Sequence, residues 1–160
     1  MMRSAICILV LVSSIASARS KPSEEPIECY SGNFQACKSC KTLAAATSKA
    51  EPNEGEYFHA AQWNGLYAAY VHNCLAVAED LLKRGADPSS GGALGSMILT
   101  VVDKWPHNNK RVNEKWAALL KKYRANPQKK VGPEDSTPMG LMAMLHSKPD
   151  YPDLWARFLK

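Results

Sequence analysis

Apolar residues recur at helical spacing along most of the chain after position 56. Residues three and four positions apart share one face of a helix, so this spacing predicts helices that each bury one side. Segments of alternating polarity with β-branched side chains are missing, which predicts little sheet content. The helices are expected in consecutive pairs: Tyr57–His72 with Cys74–Arg84, Ala93–Lys104 with Asn113–Tyr123, and Pro138–His146 with Asp153–Lys160. The predicted fold class is therefore all-α.

The stretch LLKRGADPS (81–89) has the features of a helix end. Gly85 can adopt the left-handed conformation that closes a helix, and Pro88 cannot continue one. A shift of 39 positions places Leu81 on Leu120 and then on Leu159. A fixed period of this size is typical of stacked repeats. The alternative is a small bundle of unrelated amphipathic helices, because apolar positions align easily by chance.

Parts of the chain resemble an ankyrin repeat. LLKRGADPS resembles its second helix and loop, and Ser136-Thr137-Pro138-Met139 resembles the T-P-L-H opening of its first helix. The stretch 57–61, followed by Trp63-Asn64-Gly65, resembles the continuation of that opening. The resemblance implies a helical-repeat solenoid of about three ankyrin-like helix pairs over 56–160, after a cysteine-containing helical segment over 28–55. It also implies a protein partner, because ankyrin-like folds bind proteins through exposed turns.

The N-terminus has the pattern of a secretory signal peptide. Arg3 precedes an apolar run, Ala5 to Val12, that is too short to span a bilayer, and Ala16-Ser17-Ala18 fits a cleavage site. We therefore expect a signal peptide at 1–18, a flexible leader at 19–27 and a single domain at 28–160. The expected location is periplasmic or secreted, and no integral membrane segment is predicted after the signal is removed.

The charge of the chain is mildly basic. Its 20 Lys and Arg residues against 15 Asp and Glu residues give a net charge of +5. An acidic protein surface, anionic lipid or nucleic acid would each be compatible with this charge. The predicted signal peptide argues against intracellular nucleic acid as the partner.

Cysteines Cys29, Cys37, Cys40 and Cys74 follow the predicted signal peptide. An even number of cysteines in an exported chain predicts two structural disulfides, for which three connectivities are possible. We expect one cysteine of the Cys37-Lys38-Ser39-Cys40 motif to pair with Cys74. The alternative is redox chemistry at Cys37 and Cys40, although no βαβ pattern surrounds them. A four-cysteine zinc site would need a second close pair, which is missing.

Motifs for catalysis are missing from the sequence. Neither HExxH nor GxSxG is present, and the glycine-rich stretch at 91–96 has no phosphate-binding lysine. We therefore predict a protein that is not an enzyme and uses no metal and no cofactor.

Two connecting loops carry candidate protein-binding residues. Aromatic and arginine side chains on rigid supports are frequent binding anchors. The candidates are Trp105, His107, Asn108, Lys110 and Arg111 in the first loop, and Tyr151 in the second. The alternative is that both loops only join helices.

The function predicted from these patterns is that of an exported, non-catalytic protein-binding module. By analogy with ankyrin-like proteins, it would be a periplasmic immunity protein that neutralises a toxic effector. One alternative is a secreted effector that binds a host protein. Another is a small redox protein that uses Cys37 and Cys40.

Overall fold

The computed structural model describes residues 29–30, 32–58, 61–104, 106–131, 136–144 and 148–160, so the predicted signal peptide and leader lie outside the described residues. A 3₁₀ turn, Phe34–Ala36, comes first. The elements that follow are α1 Cys40–Thr47, β1 Gly55–Phe58, β2 Ala61–Asn64, α2 Gly65–Val71, α3 Leu75–Lys83, β3 Gly92–Ala93, α4 Met97–Val102, α5 Lys110–Lys122, α6 Pro138–Met144 and α7 Pro152–Phe158. None of the described helices is long and apolar enough to cross a membrane.

A three-stranded antiparallel sheet makes the all-α prediction wrong. Strands β1 and β2 pair from Gly55 opposite Asn64 to Phe58 opposite Ala61, and β3 joins the other edge of β2. Strands β1 and β2 replace the first half of the predicted helix at 57–72. The helix begins only after Asn64, whose Oδ1 accepts a hydrogen bond from the backbone N–H of Tyr67 at 2.8 Å. This N-cap, after aromatic residues that favour strands, explains why the segment divides there.

The predicted repeat solenoid is also wrong, and no repeat is detected among the described residues. Leu81 and Leu120 are 1% and 0% exposed, whereas Leu159 is 49% exposed. Helix α7 instead buries Leu154 and Phe158. It packs against α4, and the Tyr151 backbone N–H before it donates to the Val102 carbonyl at 2.9 Å. The last helix therefore does not repeat the buried leucine position that Leu81 and Leu120 share.

Helix α2 is the centre of the core. Its first six residues, Gly65 to Tyr70, are all buried. Helices α1 and α3, strand β2 and the 3₁₀ turn all pack around it. A helix enclosed on every side in this way has no exposed stripe, unlike the amphipathic helix that we expected here.

The helix end predicted at LLKRGADPS is confirmed, and α5 ends in the same way. The Leu81 carbonyl accepts from Ala86 N–H at 2.9 Å, and the Leu120 carbonyl accepts from Ala125 N–H at 3.0 Å. The left-handed residue is Gly85 after α3, with φ of 99°, and Arg124 after α5, with φ of 63°. Both ends are Schellman motifs, but only the first has the glycine that suits it.

Arg84, in the same stretch, attaches α3 to the end of α1. Its guanidinium donates to the carbonyls of Thr47 at 2.7 Å and Ala50 at 3.3 Å, and its Nε donates to Asp80 at 3.1 Å. The last carbonyls of α1 lack helical partners of their own. Arg84 therefore caps a neighbouring helix as well as lying at the end of its own.

Two disulfides involve the N-terminal segment: one closes a loop within it, and the other joins it to the start of α3. Cys29 pairs with Cys37, and Cys40 pairs with Cys74 immediately before α3. The prediction that one cysteine of the CxxC motif pairs with Cys74 is confirmed. Cys37 and Cys40 thus belong to different bonds. Two disulfides in a small chain fit folding in an oxidising compartment.

The two helix ends should respond in opposite ways to exchange of their left-handed residues. Gly85→Ala should lower the free energy of unfolding by about 1 kcal/mol, because an L-residue is strained at this φ. The cost is conformational, since a Cβ at Gly85 meets no atom within 4 Å. Arg124→Gly should raise the free energy of unfolding by about 0.5 kcal/mol, a partial gain because glycine also loosens the unfolded chain. Urea denaturation measures both.

Arg124→Ala is the matched control for the second change. It removes the same charge but keeps an L-residue at a φ of 63°. It should therefore not reproduce the stabilisation. Equal effects of Arg124→Gly and Arg124→Ala would show that strain at this position is not the cause.

The disulfides should differ in their contribution to stability. Their sequence separations are 34 residues for Cys40–Cys74 and 8 residues for Cys29–Cys37. Chain entropy then predicts losses of about 4 and about 2.5 kcal/mol when each pair is replaced by alanine. Denaturation of the two double-alanine variants tests the order. A larger loss for Cys29→Ala/Cys37→Ala would contradict this explanation.

Candidate functional site

The predicted binding loops contain both packed and exposed residues. Tyr151 is only 8% exposed and belongs to the core cluster, and His107 is half-buried against α2. Lys110 forms an ion pair with Asp153 at 3.0 Å.

The other candidates of the first loop differ in what is known of them. Asn108 and Arg111 are exposed, and Trp105 lies outside the described residues. The structure therefore gives two of the aromatic candidates a packing role and leaves Arg111, on the first turn of α5, at the surface.

Asn113 is a buried amide that joins several segments. Its side chain is fully enclosed, at 0% exposure. Its Oδ1 accepts from the Tyr70 hydroxyl at 2.8 Å, and its Nδ2 donates to the carbonyls of Asp103 at 3.0 Å and His107 at 3.4 Å. A buried polar group without partners is costly, so these bonds fix the relative positions of the segments. Asn113 thereby holds α5 against α2 and against the loop that follows α4.

His107 attaches this loop to the end of α2. Its Nε2 lies 2.6 Å from the Tyr70 carbonyl oxygen, which can only accept, so Nε2–H is the donor. The ring centroids of His107 and Tyr70 are 4.8 Å apart in an edge-on arrangement. Tyr70 thus contacts the loop through its backbone and its ring.

Trp116 makes a second connection between α5 and α2. Its Nε1–H donates to Asn73 Oδ1 at 3.1 Å, and its ring packs edge-on against Tyr70 at 5.2 Å between centroids. Asn73 has a φ of 53° at the end of α2. Asparagine tolerates this left-handed conformation better than most residues. Its side chain is held by a tryptophan whose own N–H needs a partner when buried.

Two buried tyrosines of α2 have different hydrogen-bonding environments. Burial raises the pKa of Tyr67 to about 12, and burial also raises the pKa of Tyr70, so both phenols are neutral at physiological pH. The Tyr70 hydroxyl donates to Asn113, whereas the Tyr67 hydroxyl has no hydrogen-bond partner among the described residues. The hydroxyl of Tyr67 therefore adds an uncompensated desolvation cost.

On the side of α5 that faces away from Asn113 and Trp116, this helix and α3 form an open groove. The apolar part of the groove combines two partly buried leucines with two exposed alanines, and charged side chains border it. The lining residues are Leu75, Ala76 and Glu79 from α3, and Lys115, Ala118, Leu119 and Lys122 from α5. The groove thus combines an apolar floor with a charged border.

An ion pair bridges the two helices of the groove. Lys122 Nζ lies 2.7 Å from Glu79 Oε1, which also accepts from the Tyr123 hydroxyl at 3.5 Å. The hydrogen bond from Lys122 lowers the pKa of the Glu79 carboxyl, and Glu79 raises the pKa of Lys122. Lys83 approaches the same carboxylate at 4.0 Å. The single carboxylate of the groove is therefore compensated by neighbouring cations.

Helix α5 and the turn after it concentrate the positive charge of the protein. Positions 110–130 contain eight basic residues and one acidic residue, a net charge of +7 against +5 for the whole chain. Lys110, Lys122 and Lys129 form ion pairs. Within the described residues no ion pair is found for the other cations with exposed side chains: Arg111, Lys115, Lys121, Arg124 and Lys130. We call the exposed side of α5 with Arg111, Lys115, Ala118, Leu119 and Lys122 the basic face.

The described residues contain no group of three or more His, Cys, Asp or Glu side chains placed to hold a metal ion.

Sequence reasoning missed Asn113 and the groove. The apolar stripe of α5 includes Trp116, Ala117 and Leu120, and Asn113 occupies the next position of that stripe toward the N-terminus. A polar residue on an otherwise apolar helix face was the signal that could have found it. The groove arises from the distance between α3 and α5 in the fold, which a local sequence pattern does not specify.

Comparison with protein-family models, curated proteins and solved structures finds no match to this chain. The function must therefore be inferred from the residues and their geometry.

Removal of the two tyrosine hydroxyls of α2 should have opposite effects. Tyr70→Phe should lower the free energy of unfolding by about 1–2 kcal/mol, because Asn113 loses a buried partner. Tyr67→Phe should be neutral or stabilise by up to about 1 kcal/mol, because it removes a buried hydroxyl without a partner. The two changes are chemically identical and lie on one helix, so each controls for the other. Equal losses in urea denaturation would contradict the assigned hydrogen bonds.

Proposed function

We propose that this protein is an exported, non-catalytic protein-binding module that binds an acidic protein surface through the basic face of α5. The observation that carries the proposal is the concentration of positive charge over 110–130 beside an apolar groove. Complementary charge directs association and selects partners, and apolar area supplies the remaining affinity.

The framework behind the basic face supports this proposal. Helix α5 is held on its inner side by Asn113 and Trp116, so the outer side chains project from a fixed support. The Cys40–Cys74 bond lies directly before α3, the other helix of the groove. A surface ordered before binding loses less entropy when the partner arrives.

Two kinds of partner fit the proposal. One is a toxic effector that the protein neutralises in the compartment to which it is exported, as an immunity protein does. The other is a host protein that it binds after secretion, as an effector does. The compartment in which the partner is captured distinguishes them. The redox alternative has less support, because Cys37 and Cys40 are each bonded to a different cysteine.

Affinity capture with a matched pair of variants tests the proposal. The wild type and Arg111→Glu/Lys115→Glu are used as baits in periplasmic extract and culture supernatant of the source organism. A partner should bind the wild type and be lost with the variant, because two attractive contacts become repulsive.

Lys38→Glu/Lys49→Glu is the control bait. Both lysines are exposed and lie on either side of α1, so the net charge changes equally away from α5. This variant should retain the partner. If both double variants lose it, net charge is responsible, and if neither does, binding uses another surface. Either result contradicts the proposal.

A further inference from the structure

We infer that the groove between α3 and α5 receives an acidic amphipathic helix of the partner protein. This inference rests on the proposed function and specifies the ligand of the same surface. Three features of the groove support it: an apolar floor, a charged border and a length that matches about two turns of a helix.

The dimensions of the groove suit about two turns of a helix. Its lining on α5 runs from Lys115 to Lys122, which corresponds to about 10 Å at the rise of an α-helix. Ala76 and Ala118 are small and exposed, so the groove has room for larger side chains from a ligand. An amphipathic helix would fill it with apolar residues at positions i, i+3 or i+4, and i+7.

The floor of the groove is anchored in the protein core. Leu75 and Leu119 are partly buried and pack against the core cluster. Their remaining exposed surface faces the groove, where a ligand can cover it. Burial of this surface contributes affinity without requiring the two helices to move.

The charge of the border selects an acidic ligand. Glu79 is compensated by Lys122 and Lys83, whereas Lys115 has no ion pair among the described residues. Arg111 lies one turn before Lys115 on the same side of α5. Carboxylates along the flank of the ligand helix would pair with these two cations. A second copy of the basic face would be repelled, which argues against self-association here.

The same details favour a protein helix over nucleic acid or a membrane. The floor of the groove is formed by Leu75 and Leu119, which suit aliphatic side chains that a phosphate backbone does not carry. A membrane surface is normally bound by large apolar side chains that project outward. The exposed large apolar residues in the described part of the chain are Tyr30, Met139, Met144 and Leu159, none of which is on α3 or α5.

Binding of designed peptides tests the inference. Three labelled peptides of about 15 residues are compared, a length at which an isolated helix can begin to form. The first has leucines at i, i+4 and i+7 with glutamates elsewhere on its exposed positions. The second replaces those glutamates with lysines, and the third scrambles the first so that its leucines share no face. Fluorescence anisotropy gives the dissociation constants.

The wild-type protein should bind the first peptide at least about tenfold more tightly than either control peptide, since charge and apolar stripe are both required. Ala118→Trp should weaken this binding about tenfold by filling the groove, and its exposed position allows the fold to be retained. Lys115→Glu should weaken binding more than Lys130→Glu, which changes the net charge equally outside the groove. Thermal unfolding of each variant verifies that it is folded.

Several results would overturn the inference. They are absence of binding to the first peptide, equal binding of the scrambled peptide, or no effect of Ala118→Trp. Equally tight binding of anionic phosphatidylserine vesicles or single-stranded DNA, with the same loss in Lys115→Glu, would assign the basic face to lipid or nucleic acid instead. In the capture experiment, a partner lost with Arg111→Glu/Lys115→Glu but retained by Ala118→Trp would reject the groove and keep the proposed function.

Discussion

The position of α5 depends on the buried side chain of Asn113. This amide accepts from Tyr70 and donates to two carbonyls of the segment after α4. It therefore joins α5 to the central helix α2 and to the loop that follows α4. Trp116 reinforces the contact one turn further along. Because the inner side of α5 is specified by polar partners as well as by packing, its rotation is fixed. That rotation decides which cations and which alanine face the solvent.

The helices that the sequence predicted best are those with one buried side. Helices α3 and α5 have this pattern, and both were found close to their predicted positions. The central helix α2 was predicted too long, because apolar residues fill all of its sides and extend into strands β1 and β2. A period count cannot separate a buried helix from an adjoining strand when Tyr57, Phe58 and Trp63 suit both. The capping residue Asn64 was the available signal for the division.

The functional residues divide along a similar line. The charge of α5 can be read from the sequence, which also makes Arg111 a candidate binding residue. The roles of loop residues such as His107 and Tyr151 are harder to predict from sequence, because an aromatic side chain in a loop can either bind a ligand or pack into the core. The structure gives both of them tertiary contacts that no local pattern contains: His107 bonds to a carbonyl of α2, and Tyr151 precedes a helix that packs on α4. The 39-residue period was wrong because shared helix ends at Gly85 and Arg124 do not require shared packing.

The division of the CxxC motif between two disulfides has a consequence for biosynthesis. A bond between Cys37 and Cys40 would close a smaller ring than either native bond, whose separations are 8 and 34 residues. Shorter loops cost less entropy to close, so oxidation of the unfolded chain favours this incorrect pair early. Only attack by another thiolate converts it to the native pairs. The yield of correctly bonded protein therefore depends on how readily thiol–disulfide exchange proceeds where the chain folds.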